Sequence, residues 1–155
     1  VDTRKTAPGL RFLDKYSVRM GGGHNHRLNL ADGILIKDNH IQALRSEKLG
    51  LKEVIRLALS RASHTIKVEV EVETLEEVRE AVEAGAHIIM LDNMPVGVME
   101  QAVDIIGGRA LVEASGGINM ETVRAVAETG VDLISIGGLT HSPQALDISL
   151  DLEFS

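Results

Sequence analysis

Val68-Glu69-Val70-Glu71-Val72-Glu73-Thr74-Leu75-Glu76-Glu77-Val78-Arg79-Glu80-Ala81-Val82-Glu83-Ala84-Gly85-Ala86-His87-Ile88-Ile89-Met90-Leu91-Asp92 reads as strand, helix, strand. Residues 66–73 form the first strand: from Val68 onward valine and glutamate alternate, the period of a β-strand. Residues 74–84 then follow a helical period, opened by the capping-box spacing Thr74-x-x-Glu77 and stopped by Gly85. Residues 88–92 are a second β-rich run. Outward from this unit the pattern recurs every ~20–30 residues. Further strands are expected at 34–37, 111–115 and 133–137. Helices are expected at 10–18 behind Pro8, at 51–62, at 96–106, and at 119–129 between an Asn cap and Gly130. No linker or low-complexity tract divides the chain, so residues 1–155 read as one domain.

Strands alternating with helices through short loops give a parallel sheet, either a barrel or a doubly wound open sheet. An open sheet gathers its site at one switch point, whereas a barrel collects reactive side chains at the C-terminal ends of many strands. Here nearly every strand runs into polar residues: Lys37-Asp38-Asn39, Glu71 and Glu73, Asp92-Asn93, Glu113 to Gly117, and Gly137-Gly138. The expectation is α/β: a portion of a TIM-like barrel with parallel strands. Five strands are fewer than the eight of a closed barrel, and the sequence opens on Val1-Asp2-Thr3-Arg4-Lys5 without Met. It therefore reads as a C-terminal portion, with an N-terminal domain and the first barrel elements absent. Such a piece would leave a sheet edge and apolar helix faces uncovered, and is expected to be inactive and poorly soluble alone.

Composition narrows the function. The chain is 44% hydrophobic and 25% charged, ordinary for a globular domain. Its only aromatic residues are Phe12, Tyr16 and Phe154, so ring stacking cannot be a main binding device. A net charge of −7 argues against a nucleic-acid surface. The absence of cysteine excludes thiolate chemistry, and no long apolar run suggests a membrane segment, so a cytoplasmic protein is expected.

If the valines of residues 68–73 pack on helices, Glu69, Glu71 and Glu73 point into the barrel, where unpaired carboxylates are costly. The bland alternative is a solvated acidic edge strand. Against it stand cations at loop and strand ends: Arg4, Lys5, His24, His26, Arg27 and Lys37. Singly these could be surface charges or ion-pair partners; together they suit a small polyanion. Gly21-Gly22-Gly23 is expected to let the histidine block approach a ligand, with His24 and His26 as donors to an anion rather than a metal pair. His40, His64 and His87 are expected to be structural or surface residues. The Ser115-Gly116-Gly117 and Gly137-Gly138 turns suit a phosphate, because late βα turns of barrels expose backbone N–H groups there. Asp92 with Glu71 could hold Mg²⁺, though a strand-terminal Asp can also simply cap a helix.

Together these residues resemble a known family. Asp2-Thr3-Arg4-Lys5-Thr6-x-Pro8-Gly9-Leu10-Arg11, Gly21-Gly22-Gly23-His24-Asn25-His26-Arg27-Leu28, Ile36-Lys37-Asp38-Asn39-His40-Ile41, Glu69 to Glu73, Leu91-Asp92-Asn93, Glu113-Ala114-Ser115-Gly116-Gly117-Ile118 and Ile136-Gly137-Gly138-Leu139-Thr140-His141-Ser142 are similar, in order and spacing, to quinolinate phosphoribosyltransferases. The resemblance implies phosphoribosyl transfer to quinolinate with decarboxylation, in NAD biosynthesis. It implies that Arg4, Lys5, His26, Arg27 and Lys37 bind the two carboxylates, and that Glu71 and Asp92 face Mg²⁺ and the ribose of phosphoribosyl pyrophosphate. Ser115, Gly116, Gly117, Gly137 and Gly138 would hold phosphate, His141 would bind substrate, and Lys5, Lys37, Glu71 and Asp92 would carry catalysis. It also implies a homodimer or larger homo-oligomer, with an arginine from the partner entering the site. Competing readings are a pyrophosphorylase-like relative associated with molybdate uptake, or an anion-binding barrel fragment without turnover.

Overall fold

The computed structural model describes residues 1–44 and 49–153; Phe154 lies outside the described residues. The elements run α1 (Arg11–Met20), β1 (Ile34–Ile36), α2 (Asp38–Leu44), α3 (Leu51–Arg61), β2 (Val68–Val72), α4 (Leu75–Ala84), β3 (Ile88–Asp92), α5 (Val96–Ile106), β4 (Leu111–Ser115), α6 (Val123–Glu128), β5 (Leu133–Ile134) and α7 (Gly138–His141).

The five strands form one parallel sheet in the order β1-β2-β3-β4-β5. A doubly wound sheet reverses its order at a switch point; here the order never reverses, so the sheet is an arc of barrel type. The chain's opening residues extend it. Val1 N donates to Ile134 O at 2.7 Å and Ile136 N donates to Val1 O at 3.0 Å, so residues 1–5 run beside β5.

The core lies between sheet and helices. Val68, Val70 and Val72 are buried together with Ile55 of α3, Val78 and Ala81 of α4, and Ala102 and Ile106 of α5. The outward faces of the strands are therefore the apolar ones. Cap chemistry sets the helix ends: Thr74 Oγ1 accepts from Glu77 N at 3.2 Å, Glu77 Oε2 accepts from Thr74 N at 3.1 Å, and Gly85 closes α4 at φ 85°.

Several expected bounds shift. The first helix runs to Met20 rather than residue 18, β2 starts at Val68, β5 is only Leu133–Ile134, and α6 starts after Asn119 has made an Asx turn to Glu121 N and Thr122 N. Helices α2 and α7 were not expected. The glycine run does not approach the ligand region. Gly21 and Gly22 turn the chain out of α1, and a Cβ on Gly23 would lie 2.8 Å from Val18 Cγ1. His24 is exposed.

Candidate functional site

A cavity of about 760 Å³ opens at the C-terminal ends of the strands. Each element delivers its side chains there: residues 1–5 bring Arg4 and Lys5, the loop after α1 brings His26 and Arg27, β1 ends in Lys37, and β2 to β4 end in Glu71, Asp92 and Ser115. Gly116, Gly117, Gly137, Gly138 and His141 complete the set of site residues that the resemblance implies, and that set lines this one cavity; His24, Glu69 and Glu73, also named from the sequence, do not. The sequence did not single out Asp2, Thr3, Leu35, Met90, Ile118 or Ser135, which line it as well, or assign a role to Asn93 there.

The cations are held from below by a fully buried carboxylate. Asp2 Oδ1 accepts from Lys15 Nζ at 2.6 Å and from His26 N at 2.7 Å, while Asp2 Oδ2 accepts from Asn25 Nδ2 at 2.6 Å. Lys15 of α1 is itself buried. This knot ties residues 1–5 to the loop carrying Arg27. Arg27 Nη1 donates to Gly33 O at 3.0 Å, but Arg27 Nε and Arg4 Nε are buried without a hydrogen-bond partner among the described residues. Burial, and secondarily Arg4, press Arg27 below its ordinary pKa, against the pull of Glu69. A guanidinium stays charged under such pressure, so these two orphan donors call for an anion.

Of the three glutamates expected to point into the barrel, Glu69 and Glu71 lie on β2 and Glu73 just beyond its end. Glu69 is buried, Glu71 is half-buried and ion-paired with Lys37, and Glu73 is exposed to solvent, so the expectation that all three point inward does not hold for Glu73. Only Glu71 of the three lines the cavity. The expectation that His26 donates to an anion meets a ring whose nitrogens are both engaged. Nδ1 accepts from Arg27 N at 2.7 Å, and Nε2 lies 3.2 Å from Glu69 Oε2 and 3.6 Å from Glu113 Oε1. The hydrogen bond to Glu69 raises the His26 pKa, with burial working against it. Burial, and then Glu69, push the Glu113 carboxyl up, while the Ser135 hydroxyl, donating to it, pulls it down. His40 Nδ1 accepts from Lys37 N and His87 Nδ1 from Val68 N, both at 2.9 Å, so these rings are structural.

Around Asp92 the backbone is special. Asn93 adopts φ 53°, its Nδ2 donates to Asp92 Oδ2 at 2.8 Å, and its N–H donates to Ser115 O at 2.9 Å. Gly116 sits against it: a Cβ there would lie 2.2 Å from Asn93 Oδ1. Gly116 and Gly117 have φ 94° and 61°. Among the described residues none accepts from the N–H groups of Gly116, Gly117 or Ile118, so the turn presents backbone donors to the cavity. Among the described residues the one cluster close enough to share a metal ion is His26, Glu69 and Glu113, whose ligand atoms lie within 4.8 Å of one another. Glu71 and Asp92 are not members of this cluster.

An arc of parallel βα units with cations, carboxylates and glycine turns gathered at the strand C-termini has the layout of a barrel site. The chain belongs to the family described as quinolinate phosphoribosyl transferase, C-terminal domain, which it matches over residues 1–151. It is 50% identical over 154 residues, 99% of this chain and 52% of the relative, to a probable nicotinate-nucleotide pyrophosphorylase [carboxylating] of Bacillus subtilis. A quinolinate phosphoribosyltransferase [decarboxylating] of Nicotiana glauca is 46% identical over 168 aligned residues, 99% of this chain and 48% of that one. The crystal structure of a nicotinate-nucleotide pyrophosphorylase from Ehrlichia chaffeensis superposes with a TM-score of 0.89 at 43% identity, covering 98% of this chain and 54% of that one. The chain thus spans about half the length of the curated relatives it matches. No helix among the described residues is long and apolar enough to cross a membrane.

Proposed function

We propose that this chain carries the active-site barrel of a phosphoribosyltransferase that joins quinolinate to phosphoribosyl pyrophosphate and releases pyrophosphate and CO₂, giving nicotinate mononucleotide for NAD biosynthesis. The observation that carries this reading is the pair of buried, unpartnered Arg4 and Arg27 Nε donors, set in a cavity with Lys5, Lys37 and a turn of unpaired backbone N–H groups. Two guanidinium groups and two ammonium groups match two carboxylates, and the Ser115 to Gly117 turn matches a phosphate.

In this reading Arg4, Lys5, Arg27 and Lys37 hold the dicarboxylate so that its ring nitrogen faces the anomeric carbon. The nitrogen forms the C–N bond as the C–O bond to pyrophosphate breaks. Glu71 and Asp92 stabilise the positive charge developing on the ribose. Their oxygens suit Mg²⁺, which would supply Lewis-acid stabilisation of the leaving group. The ring nitrogen, now positively charged, accepts the electron pair released when the adjacent carboxyl leaves as CO₂, and a proton takes the vacated carbon. His141, beside Gly137 and Gly138, is read as a phosphate contact. The working enzyme is read as a cytoplasmic homodimer or larger homo-oligomer.

Isothermal titration of the 155-residue chain with quinolinate, with and without phosphoribosyl pyrophosphate and Mg²⁺, tests the reading. The expected result is saturable binding that Arg27→Ala or Lys37→Ala weakens by about two orders of magnitude, as removal of a charge-assisted hydrogen bond does. Equal binding by wild type and both variants would refute it.

A further inference from the structure

Beneath the cavity lie two carboxylates that the reaction above does not use. Glu69 of β2 and Glu113 of β4 are 3% and 1% exposed, and neither lines the cavity. Burying two acids side by side costs free energy unless something is gained. Between them stands His26 Nε2, within 3.2 Å of one and 3.6 Å of the other, and Glu113 also accepts from the Ser135 hydroxyl.

Either a metal ion or a proton can occupy the point where these groups converge, and the other ring nitrogen decides between them. A neutral imidazole that ligates a metal through Nε2 carries its proton on Nδ1 and donates it to an acceptor. Here Nδ1 faces the Arg27 peptide N–H at 2.7 Å, which is a donor. A proton on Nδ1 would set two donors against each other. The ring is therefore the Nε2–H tautomer, and its proton points at the carboxylates.

The consequence runs through Arg27. Its backbone N–H is fixed by His26 Nδ1, its side chain by Gly33 O, and its Nε is left without a partner. An isolated imidazole samples both tautomers, and only the Nε2–H form can accept that peptide N–H. The carboxylates that select the tautomer thereby select the position of the arginine. We propose that Glu69 and Glu113 are positioning residues of the anion pocket: they hold His26 by its Nε2–H and, through its Nδ1, set the backbone of Arg27 for ligand. This rests on the reading of the pocket as a quinolinate site.

The test is nitrogen-15 NMR of the histidine rings in the 155-residue chain, with the His26 signals assigned by their loss in His26→Gln, alongside titration with quinolinate and with phosphoribosyl pyrophosphate plus Mg²⁺. At a pH above the raised pKa of His26, where the ring is neutral, wild type is expected to show His26 as Nε2–H. Glu69→Ala is expected to mix the tautomers and weaken quinolinate about tenfold while leaving phosphoribosyl pyrophosphate binding unchanged. Glu69→Gln keeps an oxygen acceptor and is expected to restore both tautomer and affinity. Should Glu69→Ala not fold, Glu113→Ala serves instead: it removes the other acceptor facing His26 Nε2 and is expected to bind quinolinate more weakly while leaving phosphoribosyl pyrophosphate binding unchanged. Three results overturn the proposal: a neutral Nδ1–H ring in wild type, unchanged quinolinate affinity in a folded Glu69→Ala or Glu113→Ala chain, or saturable Zn²⁺ binding that shifts the His26 nitrogens. If wild type shows the Nε2–H ring and Glu69→Ala loses it while no quinolinate binds, the positioning holds and the reading of the pocket as a quinolinate site is what fails.

Discussion

Replacing Asp2 by Ala should damage this chain more than its place near the start of the sequence suggests. Asp2 is fully buried and accepts from Lys15 Nζ, His26 N and Asn25 Nδ2, all between 2.6 and 2.7 Å. In Asp2→Ala the Lys15 ammonium, 4% exposed, keeps only His26 O, at 3.1 Å. Breaking a buried pair by removing one partner costs about 3–5 kcal/mol, because the remaining charge stays desolvated. With a urea m-value of ~2 kcal/mol per molar for a domain of this size, the midpoint should fall by about 2 M. Far-UV circular dichroism is the suitable signal, since the chain has no Trp. The discriminating control is Asp2→Asn with Lys15→Met, which removes both charges and should recover most of the loss. A midpoint shift below about 0.5 M in Asp2→Ala, or a double variant no more stable than the single, would refute the argument.

Other predictions follow from single features. Gly116→Ala would drive a Cβ into Asn93 at a φ of 94°; about 1–3 kcal/mol of lost stability and markedly weaker phosphoribosyl pyrophosphate binding are expected from chemical denaturation and calorimetry. Burial holds the Glu113 pKa above its unfolded value. Its favourable contribution is therefore complete below about pH 4 and is lost as pH rises through the raised folded value. The thermal midpoint of Glu113→Gln relative to wild type should climb across that window, and a flat difference would contradict it. Leu10, Phe12, Leu13, Tyr16 and Met20 leave much of α1 apolar and exposed. Sedimentation velocity should show concentration-dependent association that Phe12→Ser with Leu13→Ser reduces; an ideal monomer at all concentrations would count against it.

The parts of the fold legible in the sequence are those whose periodicity reports burial. Helix α4 and strand β2 carry complete patterns because each presents one apolar face to a shared core. Helix α2 has no fully buried residue, and only Ile41 and Leu44 pack half-buried against the core, too short a stripe to read as a period; α7 is a four-residue turn of helix begun by a glycine. The same division holds in the site. Lys37, Glu71, Asp92 and Ser115 were visible because a parallel βα arrangement sends strand ends to one edge. The Asp2–Lys15 knot and the grip of Glu69 and Glu113 on His26 were not, because they join residues through tertiary contacts with no local period. One signal was available: Asp2 is an acid placed beside a block of cations, where a surface reading gives it no task.

The pairing of the opening residues with β5 bears on how the molecule assembles. Val1 meets Ile134 across 133 positions, and Thr140 Oγ1 donates to Lys5 O across 135. Contacts between units adjacent in sequence close short loops, whereas these close nearly the entire chain and bear the largest entropic penalty. Arg4 and Lys5 are therefore expected to reach the cavity last, after the arc from β1 to β5 exists as a template, and the same contacts are expected to open first under local fluctuation. Amide exchange should find residues 2–5 opening at lower free energy than β3, with the anion pocket dismantled while the arc of strands remains intact.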